Sequence, residues 1–331
     1  MSTQEHARKW KKRIEPFEEA NWKTSTWQLI NSSIPYLALW YLSAESMLDH
    51  WIWLTPLLAL AASGFFMRIF IIFHDCGHYS FFKHPKTNEW VGLFTGFLTG
   101  FPYYKWRYEH ALHHATSGNL NHRGIGDIWI LTVNEYRQLS PKKKMIYRLY
   151  RNPLILFGLG PIYLFCKARM NRKGAERKER WNTYGTTIFI LTSLLVLGSY
   201  WGWQVVLVVQ GTIFYGSGII GIWLFYIQHQ FDGSYFEEQN KWNYFDAALQ
   251  GSSFYKLPLI LQWFTGNIGF HHVHHLGPRI PNYQLQKAHE NVDAFRQVRH
   301  IGLRQSLDSL FYRLWDEEQK KFIHFSEIRD D

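Results

Sequence analysis

"WIWLTPLLALAASGFFMRIFIIF", residues 51–73, holds one charged side chain, Arg68, near its end. As a helix rising 1.5 Å per residue it would reach about 35 Å, enough to cross a hydrocarbon core of roughly 30 Å. The stretch predicts a membrane span, and the rest of the chain is read outward from it.

The segment Thr183 to Ile227 contains no charged residue and no histidine, and it breaks at "SYWGW" around Gly202. This predicts two further spans joined by a tight turn. A fourth, Trp27 to Leu42, is short and carries Asn31, Ser32, Ser33 and Pro35, which leaves a buried or interfacial helix as its rival reading. The apolar runs 90–104 and 153–166 are too short to span and read as interfacial or re-entrant pieces. The expected fold is all-α: four transmembrane helices as two hairpins, with a cytosolic helical cap. One membrane-bound domain covers 1–331. It comprises a cytosolic segment 1–26, a hairpin 27–73, a cytosolic part 74–182, a second hairpin 183–227 and a cytosolic part 228–331 ending in a helical tail from about Leu285.

Charge orients this layout. The 36 Lys and Arg all fall within residues 1–23, 68–180 and 241–331, so both predicted outside turns lack a basic residue. The positive-inside rule then puts both termini and the middle loop in the cytoplasm. The net charge of +10 is explained by attraction to anionic headgroups; no nucleic-acid module is recognisable. Tryptophan and tyrosine cluster at span ends (Trp40, Tyr41, Trp51, Trp53, Tyr200, Trp201, Trp203), as in an interfacial belt. The charged N-terminal stretch has no small-residue cleavage site, so no removable signal peptide is expected. Cys76 and Cys166, both on the predicted cytoplasmic side, do not suggest a disulfide framework.

Histidine is distributed unevenly. Of 17, nine fall in three five-residue windows: "HDCGH" at 74, "HALHH" at 110 and "HHVHH" at 271. His74 and His78, at i and i+4, share a helix face just beyond the second span. His110, His113 and His114 repeat at i, i+3 and i+4, as do His271, His274 and His275, while His229 follows the last span. All are predicted at one cytoplasmic rim. Protonated rings so close together would repel, and a metal resolves this by taking the neutral rings. So many imidazoles exceed the needs of one zinc, so two metal ions are implied. Ligand type alone does not name the metal. His-Glu-x-x-His, Glu-x-x-His, Gly-rich phosphate loops and Ser-His-Asp arrangements are not found. A membrane metal transporter or sensor remains as a rival, although spans so poor in polar residues speak against transport.

The boxes, in the settings "FHDCGHYSFF", "RYEHALHHATSGNLNHRGIGDIW", "FYIQHQFDGSYF" and "GNIGFHHVHHLGPRIPNYQL", resemble the integral-membrane fatty acid desaturases, with their HxxxH, HxxHH and HxxHH pattern. The likeness is greatest to acyl-lipid Δ5 desaturases of the bacillus type. It implies two irons held by His74, His78, His110, His113, His114, His229, His271, His274 and His275. Asn267 is the counterpart of an asparagine that reaches one iron through water. Asp127 would orient a ligand ring, His272 would lie behind the ligands or have no role, and His122 reads as a loop residue.

The same resemblance implies O2-dependent insertion of a cis double bond into acyl chains of membrane phospholipids, in a bacterial plasma membrane. Two electrons come from an external donor of the ferredoxin or flavodoxin type, and O2 leaves as two waters. The fused cytochrome b5 signature His-Pro-Gly-Gly is not present. Trp223, Tyr226, Phe254 and Trp263 are candidate chain-lining residues for which ordinary packing is the alternative. A fatty acyl or carotenoid hydroxylase or ketolase would share the same boxes.

Overall fold

The computed structural model describes residues 10–124 and 127–328. Residues 1–9 of the expected N-terminal segment and 329–331 of the tail lie outside the described residues. The chain is mostly helical, and among the described residues three helices are long and apolar enough to cross a membrane: α2 (Thr55–Gly77), α7 (Arg177–Trp201) and α8 (Trp203–His229). Between the last two, Gly202 adopts φ +87 at the expected break. The turn is tight: a Cβ on Gly198 would lie 2.9 Å from the Trp203 ring.

Before α2 comes α1 (Trp22–Leu48), longer at both ends than the run 27–42. Asn21 caps it by accepting from the backbone N–H groups of Lys23 and Thr24, so helix formation starts one and a half turns before the apolar run. The hydroxyls of Ser32 and Ser43 donate to carbonyls four residues back, which satisfies these two polar groups within the helix, whereas the buried Ser33 hydroxyl has no partner among the described residues. Its Tyr36, Trp40 and Ala44 pack with Ala59, Ala62, Phe66 and Ile69 of α2 and with Val205, Val206, Val209 and Ile213 of α8. The small Ala59, Ala62 and Ser63 allow this close approach, and Ser63 donates to the Ile213 carbonyl at 3.2 Å.

The two shorter apolar runs are helical as well. Residues 90–104 form most of α3 (Pro85–Thr99) and the start of α4 (Tyr103–Thr116), with Gly100 at φ +77 between them. Residues 153–166 lie in α6 (Pro153–Arg169), preceded by α5 (Pro141–Tyr150). Among the further short helices are α9 (Leu259–Phe264), α10 (His271–Leu276) and α11 (Asn282–Asn291).

The tail requires correction. Beyond Asn291 in α11 its helices shrink to single turns, at Asp293–Arg296 and Leu303–Ser306, and it also contributes strands. Strand β4 (Leu314–Asp316) pairs antiparallel with β5 (Lys321–Ile323) and parallel with β1 (Leu131–Thr132), while β2 (Phe254–Tyr255) pairs with β3 (His300–Ile301). The cause is local turn chemistry: the Asp316 carboxylate accepts from the backbone N–H groups of Glu318 and Gln319, and Lys320 turns at φ +51. Trp315, 1% exposed, then packs on Phe236 and Phe322. The all-α expectation is therefore amended by two small sheets.

Arg151 ties these parts together. It is 1% exposed, and its guanidinium donates to the Tyr226 hydroxyl (2.9 Å), the Gln230 amide oxygen and the Tyr312 carbonyl (2.6 Å). The end of α8, the α5–α6 corner and the β4 approach are thereby fixed together one residue from His229.

Candidate metal centre

Each histidine-bearing element is aimed by its neighbours. α2 runs past the apolar stretch to Gly77, so His74 lies in its last turn and His78 caps it, donating its N–H to the His74 and Asp75 carbonyls. α4 is held against α2 by the Tyr103 hydroxyl, which donates to the Cys76 carbonyl at 2.8 Å. Trp106 stacks on the His110 ring at 4.3 Å. Only glycine fits at position 77 without moving that indole, since a Cβ there would lie 2.8 Å from it. His229 is the final residue of α8. α10 is launched by a turn in which Asn267 has φ +59, and a Cβ at Gly269 would meet the Tyr255 carbonyl at 2.4 Å.

These elements bring nine histidines into two groups. His74, His78, His110, His114 and His274 form one; His113, His229, His271 and His275 form the other. Within each group the candidate ligand atoms lie within 4.8 Å of one another. The second group is buried throughout, whereas His78 and His110 of the first are partly exposed.

Tautomers follow from the partners on the far side of the rings. His113 Nδ1 is 2.6 Å from Asp127 Oδ1, and His229 Nδ1 is 3.0 Å from the Gly251 carbonyl. Carboxylates and carbonyls only accept, so both Nδ1 atoms carry the proton, and a neutral imidazole has only one. The two Nε2 atoms are then bare lone pairs, yet they face each other at 3.0 Å. His271 Nε2 lies 3.1 Å from the same His229 atom. In the first group, His114 Nε2 is 3.1 Å from His110 Nε2 and 3.0 Å from His274 Nε2. His78 Nε2 and His275 Nε2 are buried with no partner among the described residues.

Facing lone pairs repel unless a cation lies between them. With imidazole–metal bonds of about 2.1 Å, neighbouring ligands at right angles are separated by about 3.0 Å, so the spacing fits two metal ions. Burial first, then repulsion from neighbouring rings, holds His78, His110, His114, His271, His274 and His275 well below the ordinary histidine range, which favours the neutral ligand form.

The remaining candidates are placed differently. Asp127 reaches His113 as described. The Asn267 amide donates to the Asn282 carbonyl at 3.1 Å, which fixes the turn before α10. His272 is in neither group: its Nε2 is 3.1 Å from His289 Nδ1 and its ring packs near Phe254 and Phe295, with burial pushing its pKa down to about 3. His122 is exposed. Of the chain-lining candidates, Trp223 donates to the Tyr255 hydroxyl, Tyr226 is held by Arg151, Phe254 stacks on Phe270, and the Trp263 ring carries the Arg68 guanidinium.

One important residue lies within the first box but is not one of its histidines. Asp75, 1% exposed, bonds His74 Nδ1 through Oδ1 at 3.0 Å, and its Oδ2 accepts from the Asn282 backbone (2.7 Å) and side-chain (2.8 Å) nitrogens. It thus orients one ring and ties the first box to α11. An acid beside a box histidine was the available signal.

Asp127→Ala is expected to lower metal affinity by about 10–100-fold, because it frees the His113 ring without removing a ligand. Asp127 keeps 18% of its side chain exposed, so the fold should survive. Iron retention after dialysis measures the change.

Comparison with known proteins identifies the family. The sequence model of the fatty acid desaturase family matches residues 49–306. A Bacillus subtilis fatty acid desaturase is 53% identical over 319 residues, covering 96% of this chain and 90% of the relative. A Nostoc sn-1 acyl-lipid omega-3 desaturase (ferredoxin) is 26% identical, covering 83% of this chain and 76% of the relative. An Arabidopsis thaliana acyl-lipid omega-3 desaturase (cytochrome b5) of the endoplasmic reticulum is 27% identical, covering 78% and 67% respectively. With three apolar helices beneath two histidine groups, the chain belongs to the membrane-bound fatty acid desaturase family.

Proposed function

We propose that the protein is an O2-dependent acyl-lipid desaturase that places a cis double bond, of the Δ5 type, in acyl chains of membrane phospholipids at a histidine-ligated di-iron centre. The observation that carries the reading is the pair of deprotonated Nε2 atoms of His113 and His229 facing each other at 3.0 Å. One iron would be held by His74, His78, His110, His114 and His274, the other by His113, His229, His271 and His275. When bound, the irons supply the O2-dependent oxidation that removes two vicinal hydrogens, with two external electrons and release of two waters.

The chain's own residues prepare that chemistry. Asp127, Asp75 and the Gly251 carbonyl each fix a ring in the tautomer that leaves Nε2 free. Burial of the second group excludes water, and Trp106 holds His110 in place. Asn267 is proposed to act through water and His272 to support the third box from behind. Four spans are proposed, α1, α2, α7 and α8, in a bacterial plasma membrane with both termini and the histidine boxes cytoplasmic. Ferredoxin appears in the name of the Nostoc relative and cytochrome b5 in that of the Arabidopsis relative. A separate ferredoxin or flavodoxin-type carrier is the donor proposed for this chain.

The test is gas chromatography with mass spectrometry of lipids from a bacterial host lacking unsaturated-chain enzymes, with a carrier supplied. Wild type is expected to give a new monoene whose bond position reads the regiochemistry, and His113→Ala none. Hydroxylated chains in place of the monoene would move the reading to a related oxygenase; no new product from inserted, iron-loaded protein would refute it.

A further inference from the structure

We propose that α5 lies in the plane of the membrane surface and binds the headgroup of an anionic phospholipid. An amphipathic helix in a folded protein ordinarily turns its apolar residues inward. In α5, "PKKKMIYRLY", the fully buried side chain is Tyr147, whereas Met145 is 56% exposed, Ile146 46% and Leu149 50%. At 100° per residue, Met145, Leu149 and Ile146 occupy one continuous outward arc that also holds Lys142. Arg148 flanks this arc on one side, and Lys143 and Lys144 lie beyond its edges. Among the described residues none of these four cations forms an ion pair with a carboxylate.

The neighbouring helix α6 indicates the occupant. Only Arg151 and Asn152 separate α5 from α6, and Asn152 caps α6 by accepting from the Leu154 N–H at 2.9 Å. One face of α6 packs on the apolar helix α8: a Cβ on Gly160 would lie 2.7 Å from Ile222, one on Gly218 2.7 Å from Pro161, and Tyr215 donates to the Gly158 carbonyl. Its other face exposes Leu154 (83%), Leu159 (57%) and Ile162 (52%). Apolar side chains pointing away from a membrane-crossing helix meet lipid. α5 continues that surface at its end, where the apolar chain gives way to cations, the order in which a bilayer changes from acyl chain to anionic headgroup.

A receptor for the headgroup is present. An open pocket of about 510 Å³ is lined by Tyr136, Lys144, Met145, Arg148, Leu149 and Asn152. Tyr136 holds both cations there: the Arg148 Nε donates to its hydroxyl at 2.6 Å, and the Lys144 ammonium lies 5.6 Å from its ring centre. Arg148 keeps its two terminal nitrogens for a phosphate, while Met145 and Leu149 offer contact to the glyceride. This inference rests on membrane insertion and does not depend on the reaction performed.

The test uses the full chain with the exposed Cys166 replaced by serine; Cys76 is buried. An environment-sensitive fluorophore is attached at Met145→Cys, and the protein is placed in nanodiscs of phosphatidylglycerol or of phosphatidylcholine alone, each with acyl-brominated lipid. The expected result is blue-shifted emission and several-fold stronger quenching in phosphatidylglycerol. Lys142→Gln, Lys143→Gln and Lys144→Gln together with Arg148→Gln should abolish the difference, and added inorganic phosphate should not. A label at Leu154→Cys, quenched in both lipids, verifies insertion and keeps the wild-type lipid comparison decisive if the charge variant folds poorly. Water-like emission at position 145 in both lipids, or shielding that appears only when an acidic carrier protein is added, would overturn the proposal.

Discussion

His229→Ala is expected to lower bound iron from two ions per chain to one and to reduce desaturation by more than about 100-fold, beyond the loss typical of removing a supporting partner. His229 lies outside the three boxes, yet its Nε2 faces both His113, at 3.0 Å, and His271, at 3.1 Å, so it is the atom on which the four-histidine group converges. Alanine there takes away a ligand and leaves the Gly251 carbonyl without its N–H donor. Iron analysis and product formation on the same purified sample measure the two effects together. His122→Ala, at an exposed position, should change neither. Retention of two irons and full activity in His229→Ala would show that the boxes alone make the centre.

Asp75→Ala carries the second large effect, in stability as well as activity. The carboxylate accepts from three buried donors: His74 Nδ1, the Asn282 backbone N–H and the Asn282 amide. A buried donor left without an acceptor costs about 1–3 kcal/mol, so the variant is expected to lose about 3 kcal/mol or more. Because the same group sets the His74 tautomer, iron retention should fall even at temperatures where the fold persists. Thermal melting of the apo and iron-loaded chains separates these contributions. A variant that melts normally but loses iron would confine Asp75 to orienting His74.

The sequence reveals what depends on local spacing. Apolar runs long enough to span, the break at Gly202 and the i, i+4 pairing of His74 with His78 all need only neighbouring residues. Spacing also explains the grouping after the event. His110 and His114 lie one turn apart and enter one group, as His271 and His275 enter the other, whereas His113 and His274, rotated by about 100° from their neighbours, cross over. Which boxes meet is not legible in the sequence, because His274 faces His114 across 160 residues.

The role of Asp75 is hidden for the same reason: its partner Asn282 is 207 residues away. The tail departs from the helical expectation because a hairpin of three-residue strands is too short for periodicity to reveal, and the Asp316 turn decides it. In α5 the apolar residues Met145, Ile146 and Leu149 face outward, an orientation that periodicity alone does not reveal.

The central claim is that two histidine groups hold two irons and that both are needed for desaturation. Its most direct test is anaerobic titration of ferrous iron into the metal-free, full-length protein in lipid nanodiscs. Each point is then exposed to O2 with a reduced carrier, and monoene per chain is measured. Product should rise to a plateau at two irons per chain, and zinc at the same stoichiometry should give none. Full activity at one iron, or with no iron bound, would contradict the account.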